Sequence, residues 1–240
     1  MIIERTEHPS WLSNAYLVAE DAGGSGFLVD GNGVTEPLAE RAERDRIQIT
    51  HVFVTHSHGD HVEGVRELAA RFGVPILAHP NGAGALGADE LADGDTVRSG
   101  GLEIRAIDTP GHCHDHLALL VDGTDCFTAD VLFKRTVGGT GGGSFEEIRS
   151  SIMDRLMRLD PGTRVHPGHT EPTTIGDEWE RNPFIRIWRG LDSEGDEPCR
   201  VRGEEAQLVL WAPDYDGTNK AWVRFLDGRD AIVGGSQVER

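Results

Sequence analysis

Lysine is nearly absent from this chain: of 23 basic residues only Lys134 and Lys220 are lysines, and arginine supplies the rest. Against them stand 41 acidic residues, for a formal charge of -18. A surface of that sign repels phosphate backbones and argues against a general nucleic-acid binder. Cysteine is scarce too. Cys113, Cys126 and Cys199 are odd in number and widely spaced, so there is neither a disulfide framework nor a Cys-x-x-Cys metal knuckle. No apolar run approaches the ~20 residues that span a bilayer, so no membrane partner is expected. The start, Met1 to Val18, carries acids early and no long apolar stretch. It reads as lacking a signal peptide, and the cytoplasm is the expected location. What is present is ordinary globular material: 240 residues, 38% hydrophobic and 27% charged. That is enough to bury one full core with a small appendage.

Residues 2–30 read as a β-meander, with strand-like runs at 14–18 and 26–30 around the turn Asp21-Ala22-Gly23-Gly24. Asp30-Gly31-Asn32-Gly33 reads as a strand-breaking turn. Residues 35–46 read as a surface helix, 47–54 as a buried strand, and 62–72 as a helix with Val65, Leu68, Ala69 and Phe72 on one face. His79, before Pro80-Asn81-Gly82, reads as structural. Strands are expected at 74–78, 102–108, 117–121 and 126–129. Residues 137–144 form a loop with five glycines that lacks the Gly-Lys-Ser/Thr of a phosphate-binding loop. It reads as flexible or ligand-facing. Ile148, Ile152, Leu156 and Leu159 predict one amphipathic helix over 145–159, capped by Ser144. Residues 171–190 predict a last helix interrupted at Pro183. After an acidic, turn-rich linker at 191–197, strands are expected at 201–211 and 221–225, and 226–233 is expected to add a turn at Asp227-Gly228 and a short strand. Strands alternating with helices indicate an α/β architecture. The division expected is a main domain, 1–190, and a small β-rich C-terminal extension, 191–240. The extension could cover the active-site edge, join subunits into a homo-oligomer or recruit a partner.

The chemistry concentrates where strands end. Thr55-His56-Ser57-His58-Gly59-Asp60-His61 puts three histidines and a carboxylate into six residues after an apolar run. They cannot all share one face of a regular helix or strand, so a loop at a strand exit must gather them. Imidazoles with a carboxylate are the ligand set for zinc, and also for iron or manganese. The alternative is a polar loop of solvated histidines. Against it, ligand types recur at later strand exits: His112 in Thr109-Pro110-Gly111-His112, Asp130 after residues 126–129, and His169 in Pro167-Gly168-His169.

These motifs, in this order, resemble the metallo-β-lactamase superfamily over residues 2–190. The glyoxalase II-like (hydroxyacylglutathione hydrolase-like) branch is similar in its Thr-Pro-Gly-His, Asp-Val-Leu-Phe and Pro-Gly-His segments and in the Thr-Thr-Ile-Gly and Asn-Pro-Phe that follow. The resemblance implies a four-layer αβ/βα sandwich. It implies a two-metal site, with His56, His58 and His112 on one divalent ion, Asp60, His61 and His169 on the other, and Asp130 bridging them. Zinc is the expected metal, with iron or manganese as alternatives. Asp60 and Asp130 would be the catalytic carboxylates. A water held between two divalent ions loses a proton near neutral pH, which makes a bridging hydroxide the expected nucleophile on a small-molecule thioester or ester. A thiolate leaving group, with a thiol pKa near ~8.5, needs little protonation, and the chain shows no dedicated donor for an amine. That favours thioester over lactam cleavage.

Around the ligands, His116 reads as holding a ligand from behind or as a core hydrogen-bonding group. Cys113 stands where the family pattern has threonine and reads as packing, or as a thiol able to bind metal or oxidise. His114 reads as surface and His166 as rim or structural. Lys134 and Gly139 are candidate substrate-facing positions. Two departures stand out: residues 137–141 lack the arginine and aspartate of the glyoxalase II pattern, and the tail reads as β where glyoxalase II is helical. An acyl-lactone lactonase and a mononuclear-iron persulfide dioxygenase are the competing enzymes on such a scaffold. A nuclease is disfavoured by charge. A purely structural metal is disfavoured because structural sites are closed and four-coordinate.

Overall fold

The computed structural model describes all 240 residues. Its chain divides into two units, one of residues 1–108, 115–129 and 168–170, the other of residues 109–114, 130–167 and 171–240. No helix is long and apolar enough to cross a membrane.

The first unit opens with β1 (Ile2–Glu7), β2 (Asn14–Ala19) and β3 (Ser25–Val29), an antiparallel meander. Three parallel strands extend it: β4 (Gln48–Val54), β5 (Ile76–Ala78) and β6 (Asp89–Glu90). Parallel neighbours need crossover connections. These are α1 (Glu36–Arg44), the pair α2 (Gly59–Val62) and α3 (Val65–Phe72), and α4 (Pro80–Leu86). Alternation decides which side chains go where. Ala15, Leu17, Leu28, Val52 and Val54 pack with helix residues Leu38, Ala42, Val65 and Leu68. Their sequence neighbours Tyr16, Val18, Phe27, Val29 and Phe53 point the other way. That second face packs on Leu102, Ile104, Ala106, Leu117, Leu119 and Phe127. These come from β8 (Leu102–Asp108), β9 (Leu117–Val121) and β10 (Asp125–Ala129), which with β7 (Thr96–Ser99) form an antiparallel run. Both faces of the first sheet are covered, which is why its strands read as nearly continuous apolar runs.

The predicted helix 62–72 begins only at Val65. Gly31 donates to the carbonyl of His61 at 2.8 Å and Gly33 to that of Glu63 at 2.9 Å. The 31–33 turn therefore recruits carbonyls that a continuous helix would use, and Gly64, at φ +89°, turns the chain between α2 and α3.

The second unit holds the hairpin β11 (Leu132–Phe133) and β12 (Thr136–Val137), then α5 (Phe145–Ser150), with Ser144 accepting from Glu147 N–H as its cap. The predicted single helix 145–159 is instead α5, a π turn at Ser151–Arg155 and a 3₁₀ turn at Leu156–Arg158. Ile148, Ile152 and Leu156 are spaced by four. In an α-helix each such step drifts by about 40°, and the wider π turn takes up that rotation so that all three are fully buried. A pair of short strands, β13 (Arg164–Pro167) and β14 (Thr173–Thr174), precedes α6 (Ile175–Arg181) and α7 (Pro183–Trp188). The break at Pro183 is where expected, with Asn182 Oδ1 capping Phe184 N–H.

The tail is an antiparallel sheet in the order β18-β17-β16-β15-β19. Its strands are β15 (Glu197–Val201), β16 (Glu204–Pro213), β17 (Asn219–Phe225), β18 (Asp230–Gly234) and β19 (Val238–Glu239). The predicted strand 201–211 is two strands. Arg202 and Gly203 both have positive φ, 53° and 85°, the signature of a tight hairpin turn. Cys199, Val201, Ala206, Leu208, Ala221 and Val223 form a small core.

Candidate metal centre

In the first unit the site grows from the C-terminal ends of β3 and β4, which lie side by side in register, Val29 opposite Phe53. β3 ends in Asp30 and β4 in Thr55-His56. Asp30 is buried at φ +60°, an uncommon conformation for a residue with a side chain. Its carboxylate accepts from Thr55 N–H at 2.8 Å, from the Thr55 hydroxyl at 2.8 Å and from His61 Nδ1 at 2.9 Å. The Thr55 hydroxyl also lies 3.1 Å from His56 Nδ1. One carboxylate thus fixes the start of the histidine loop and the imidazole five residues on.

His58 leaves the strand and starts α2, which carries Asp60 and His61 on one turn. A helical turn, and not an open loop throughout, presents the Asp-His pair. His56 Nε2 and His58 Nδ1 face each other at 3.0 Å. Asp60 Oδ2 lies 3.7 Å from His61 Nε2 and 3.7 Å from His169 Nε2. His169 is placed by a bridge to Ser13, by Asn14 N–H on the Gly168 carbonyl at 2.7 Å, and by Nδ1 on the Leu12 carbonyl at 2.9 Å. Leu12 and Thr170 also have positive φ, 58° and 72°. Such conformations persist only where the surroundings enforce them.

In the second unit, His112 Nε2 lies 3.6 Å from Asp130 Oδ2, and His112 Nδ1 meets the Gly139 carbonyl at 2.8 Å. Glycines allow this approach. A Cβ on Gly138 would fall 1.8 Å from the Asp130 carbonyl, and one on Gly111, at φ +127°, would fall 2.1 Å from Ile148 N.

The donor set fits a divalent cation. For ligand bonds of about 2.1 Å, two tetrahedral ligands lie about 3.4 Å apart. Separations of 3.6–3.7 Å are therefore long for hydrogen bonds and close to the spacing of two ligands on one ion. Asp60, His61 and His169 have ligand atoms within 4.8 Å of one another. The tautomers agree as well. With Nδ1–H donated to Asp30, the Leu12 carbonyl and the Gly139 carbonyl respectively, His61, His169 and His112 each present Nε2 as a lone pair.

The remaining candidates separate by burial. His116 is fully buried with its ring 5.1 Å from that of His56. Cys113 is buried in a bridge to Gly142. His166 is buried. Lys134 pairs with Glu171 at 2.6 Å, and His114 is exposed. His79 caps α4, accepting from Asn81 N–H.

Three supporting residues escaped the sequence reading. Asp30 reads from the sequence as turn material, though it ends an apolar strand just as Asp130 does. Asp115 accepts from Ser57 N–H at 3.1 Å, with no sequence signal beyond its place in a polar loop. Glu178, fully buried in α6, takes Arg135 Nη1 and Thr173 Oγ1 on Oε1, each at 2.8 Å. On Oε2 it takes Arg135 N–H at 2.8 Å and Asn182 Nδ2 at 3.0 Å. Its neighbour Asp177 is held below the usual carboxylate range by its hydrogen bond to Arg135.

Comparison with known proteins places this arrangement. Residues 9–169 match the family model described as the metallo-beta-lactamase superfamily. An uncharacterised protein of Mycobacterium tuberculosis is 32% identical over 206 residues, 72% of this chain and 92% of that one. A hydroxyacylglutathione hydrolase of Rhodopseudomonas palustris is 34% identical over 158 residues, 64% of this chain and 61% of that one. This chain therefore spans less than two thirds of that relative's length. The crystal structure of ETHE1 from Myxococcus xanthus superposes with a TM-score of 0.71 at 28% identity, covering 80% of this chain and 92% of that one. With its mixed α/β sheets and its His/Asp clusters suited to a divalent metal, the chain belongs to the metallo-β-lactamase superfamily.

Proposed function

We propose that the protein is a metal-dependent hydrolase of a thioester or ester of a small-molecule acid, with residues 1–190 as the hydrolase domain and 191–240 as its extension. His56, His58 and His112 would hold one ion and Asp60, His61 and His169 the other, with Asp130 shared between the two sets; zinc is the expected metal. The observation that carries this reading is the anchoring of His61, His112 and His169 through Nδ1, which leaves Nε2 of each as a lone pair beside a carboxylate oxygen. Bound divalent ions supply a nucleophilic hydroxide at neutral pH and polarise the scissile carbonyl. The chain's part is orientation: Asp30, the Leu12 carbonyl and the Gly139 carbonyl hold three imidazoles in one tautomer, and Asp60 and Asp130 present oxygens beside them. Similarity to a hydroxyacylglutathione hydrolase supports thioester cleavage, and a thiolate leaves without a dedicated acid.

Metal analysis of protein purified without chelator, followed by assay of S-lactoylglutathione, an acyl-lactone, a cephalosporin and glutathione persulfide, tests the proposal. Two zinc ions and thioester turnover are expected. Oxygen consumption with the persulfide, or a single iron, would overturn it.

A further inference from the structure

A cavity of about 490 Å³ in the second unit has His112 and Gly139 in its wall, together with Tyr215, Lys220 and Ile232 of the C-terminal sheet. That volume is of the size that holds small ligands. The sheet is fastened to the glycine-rich loop at this place. Thr140 N–H donates to the Ile232 carbonyl at 2.9 Å, and Ile232 N–H donates to Thr140 Oγ1 at 3.0 Å. Gly139, one residue earlier, holds His112. Short links therefore run from a proposed metal ligand to β18, the edge strand of the tail.

Lys220 is one of only two lysines, and its side chain is 8% exposed. Its ammonium sits 2.9 Å from Asp214 Oδ2, itself 5% exposed, and 5.3 Å from the centre of the Tyr215 ring. An ammonium has three N–H donors; Asp214 is the one carboxylate within ion-pair distance, and Asp216 of the same cavity wall feels the charge from farther off. Taking both charges out of water is costly, and their mutual attraction repays it only when the remaining donors and acceptors are also satisfied. A cavity-lining ammonium with spare donors is best compensated by an acceptor brought in by a ligand. Tyr215 and Ile232 give the same cavity an apolar wall, and Glu204, Asp214 and Asp216 line it with carboxylates.

We infer that this cavity receives the non-reacting arm of the substrate, and that Lys220 recognises a carbonyl or carboxylate on that arm. The inference rests on the hydrolase reading above. It assigns the C-terminal sheet a part in specificity and narrows the substrate to an acyl compound whose arm carries a hydrogen-bond acceptor.

The test uses zinc-loaded full-length protein and the lactoyl thioesters of propanethiol, N-acetylcysteamine and 3-mercaptopropionate. Wild type is expected to show kcat/KM at least tenfold higher for one acceptor-bearing arm than for the propyl arm. The preferred arm tells an amide carbonyl from a carboxylate. Lys220→Met is expected to bring that ratio near one. Lys220→Met/Asp214→Asn, which leaves no orphaned carboxylate, should do the same if the single variant folds poorly. A ratio near one in wild type, or an unchanged ratio in the double variant, overturns the inference. If no thioester is turned over, the hydrolase reading fails and the cavity is judged by binding alone. Calorimetry with the S-methyl thioethers of the three arms then supports the inference if the acceptor arms bind more tightly only with Lys220 present, and overturns it if all three bind alike.

Discussion

Asp30→Asn is the most informative single change. The wild-type carboxylate faces three donors and no acceptor: Thr55 N–H, the Thr55 hydroxyl and His61 Nδ1–H. An asparagine has nearly the same shape but only one acceptor oxygen. If that oxygen keeps His61 and the Thr55 hydroxyl, the amide nitrogen must oppose Thr55 N–H, leaving a buried donor unsatisfied at about 1–3 kcal/mol. The bond to His61 also loses its charge, and ligand basicity falls. Loss of such support behind a metal-bound histidine costs about 10–100-fold in metal affinity, or about 1.4–2.7 kcal/mol. His61 belongs to the proposed Asp60/His61/His169 set, so the deficit should fall on one ion of two. The assay is competition with a fluorescent zinc chelator, followed in two phases, with a thermal melt in parallel. The expected record is one phase near wild type, one weakened at least tenfold, and a lower melting temperature. Thr55→Val, which keeps the His61 bond, should weaken that phase less. Two wild-type phases in Asp30→Asn would refute the claim that Asp30 presents His61 to a metal.

Other expectations follow from buried groups. Glu178→Ala strips the fully buried partner from Arg135, Thr173 and Asn182 and should cost about 3–5 kcal/mol, read by denaturant unfolding. Burial pushes the Cys126 thiol up to about 12, so it should resist alkylation at pH 8.5 in native protein and react fully after denaturation. Partial burial depresses the His51 imidazole. The unfolded chain then binds a proton that native His51 refuses, so stability falls as pH drops through about 6.5. His51→Gln should flatten the melting temperature between pH 8 and 5.5 relative to wild type.

The sequence exposed the proposed ligands more fully than the groups that hold them, for a physical reason. A metal ligand must be histidine, aspartate or a few others, and clusters of those types at strand exits are conspicuous. A group that fixes a ligand needs only an acceptor in the right place. A backbone carbonyl does this as well as a side chain, and the Leu12 and Gly139 carbonyls have no sequence signature at all. Asp30 has one, but turns commonly use Asp before Gly, and nothing local tells a turn aspartate from one aimed at an imidazole 31 residues on. Helix bounds failed likewise where long-range bonds intervened. The glycines at 31 and 33 take the carbonyls of His61 and Glu63, and no pattern within 59–72 encodes that.

The glycine-rich loop shows how such hidden support becomes specific. The residues that make it look featureless serve three contacts within three positions. Gly138 lets the chain pass against the Asp130 carbonyl, Gly139 offers its own carbonyl to His112, and Thr140 pairs in both directions with Ile232. A side chain at 138 would separate the loop from the Asp130 backbone, and loss of Thr140 Oγ1 would leave the Ile232 N–H on β18 without its acceptor. The proposed metal ligand and the outermost strand of the tail therefore share one short segment. A change in how that strand docks is two residues of backbone away from the His112 imidazole, so a tail that differs from the helical one of the glyoxalase II pattern would bear on the proposed substrate arm while the proposed ligands remain the same residues.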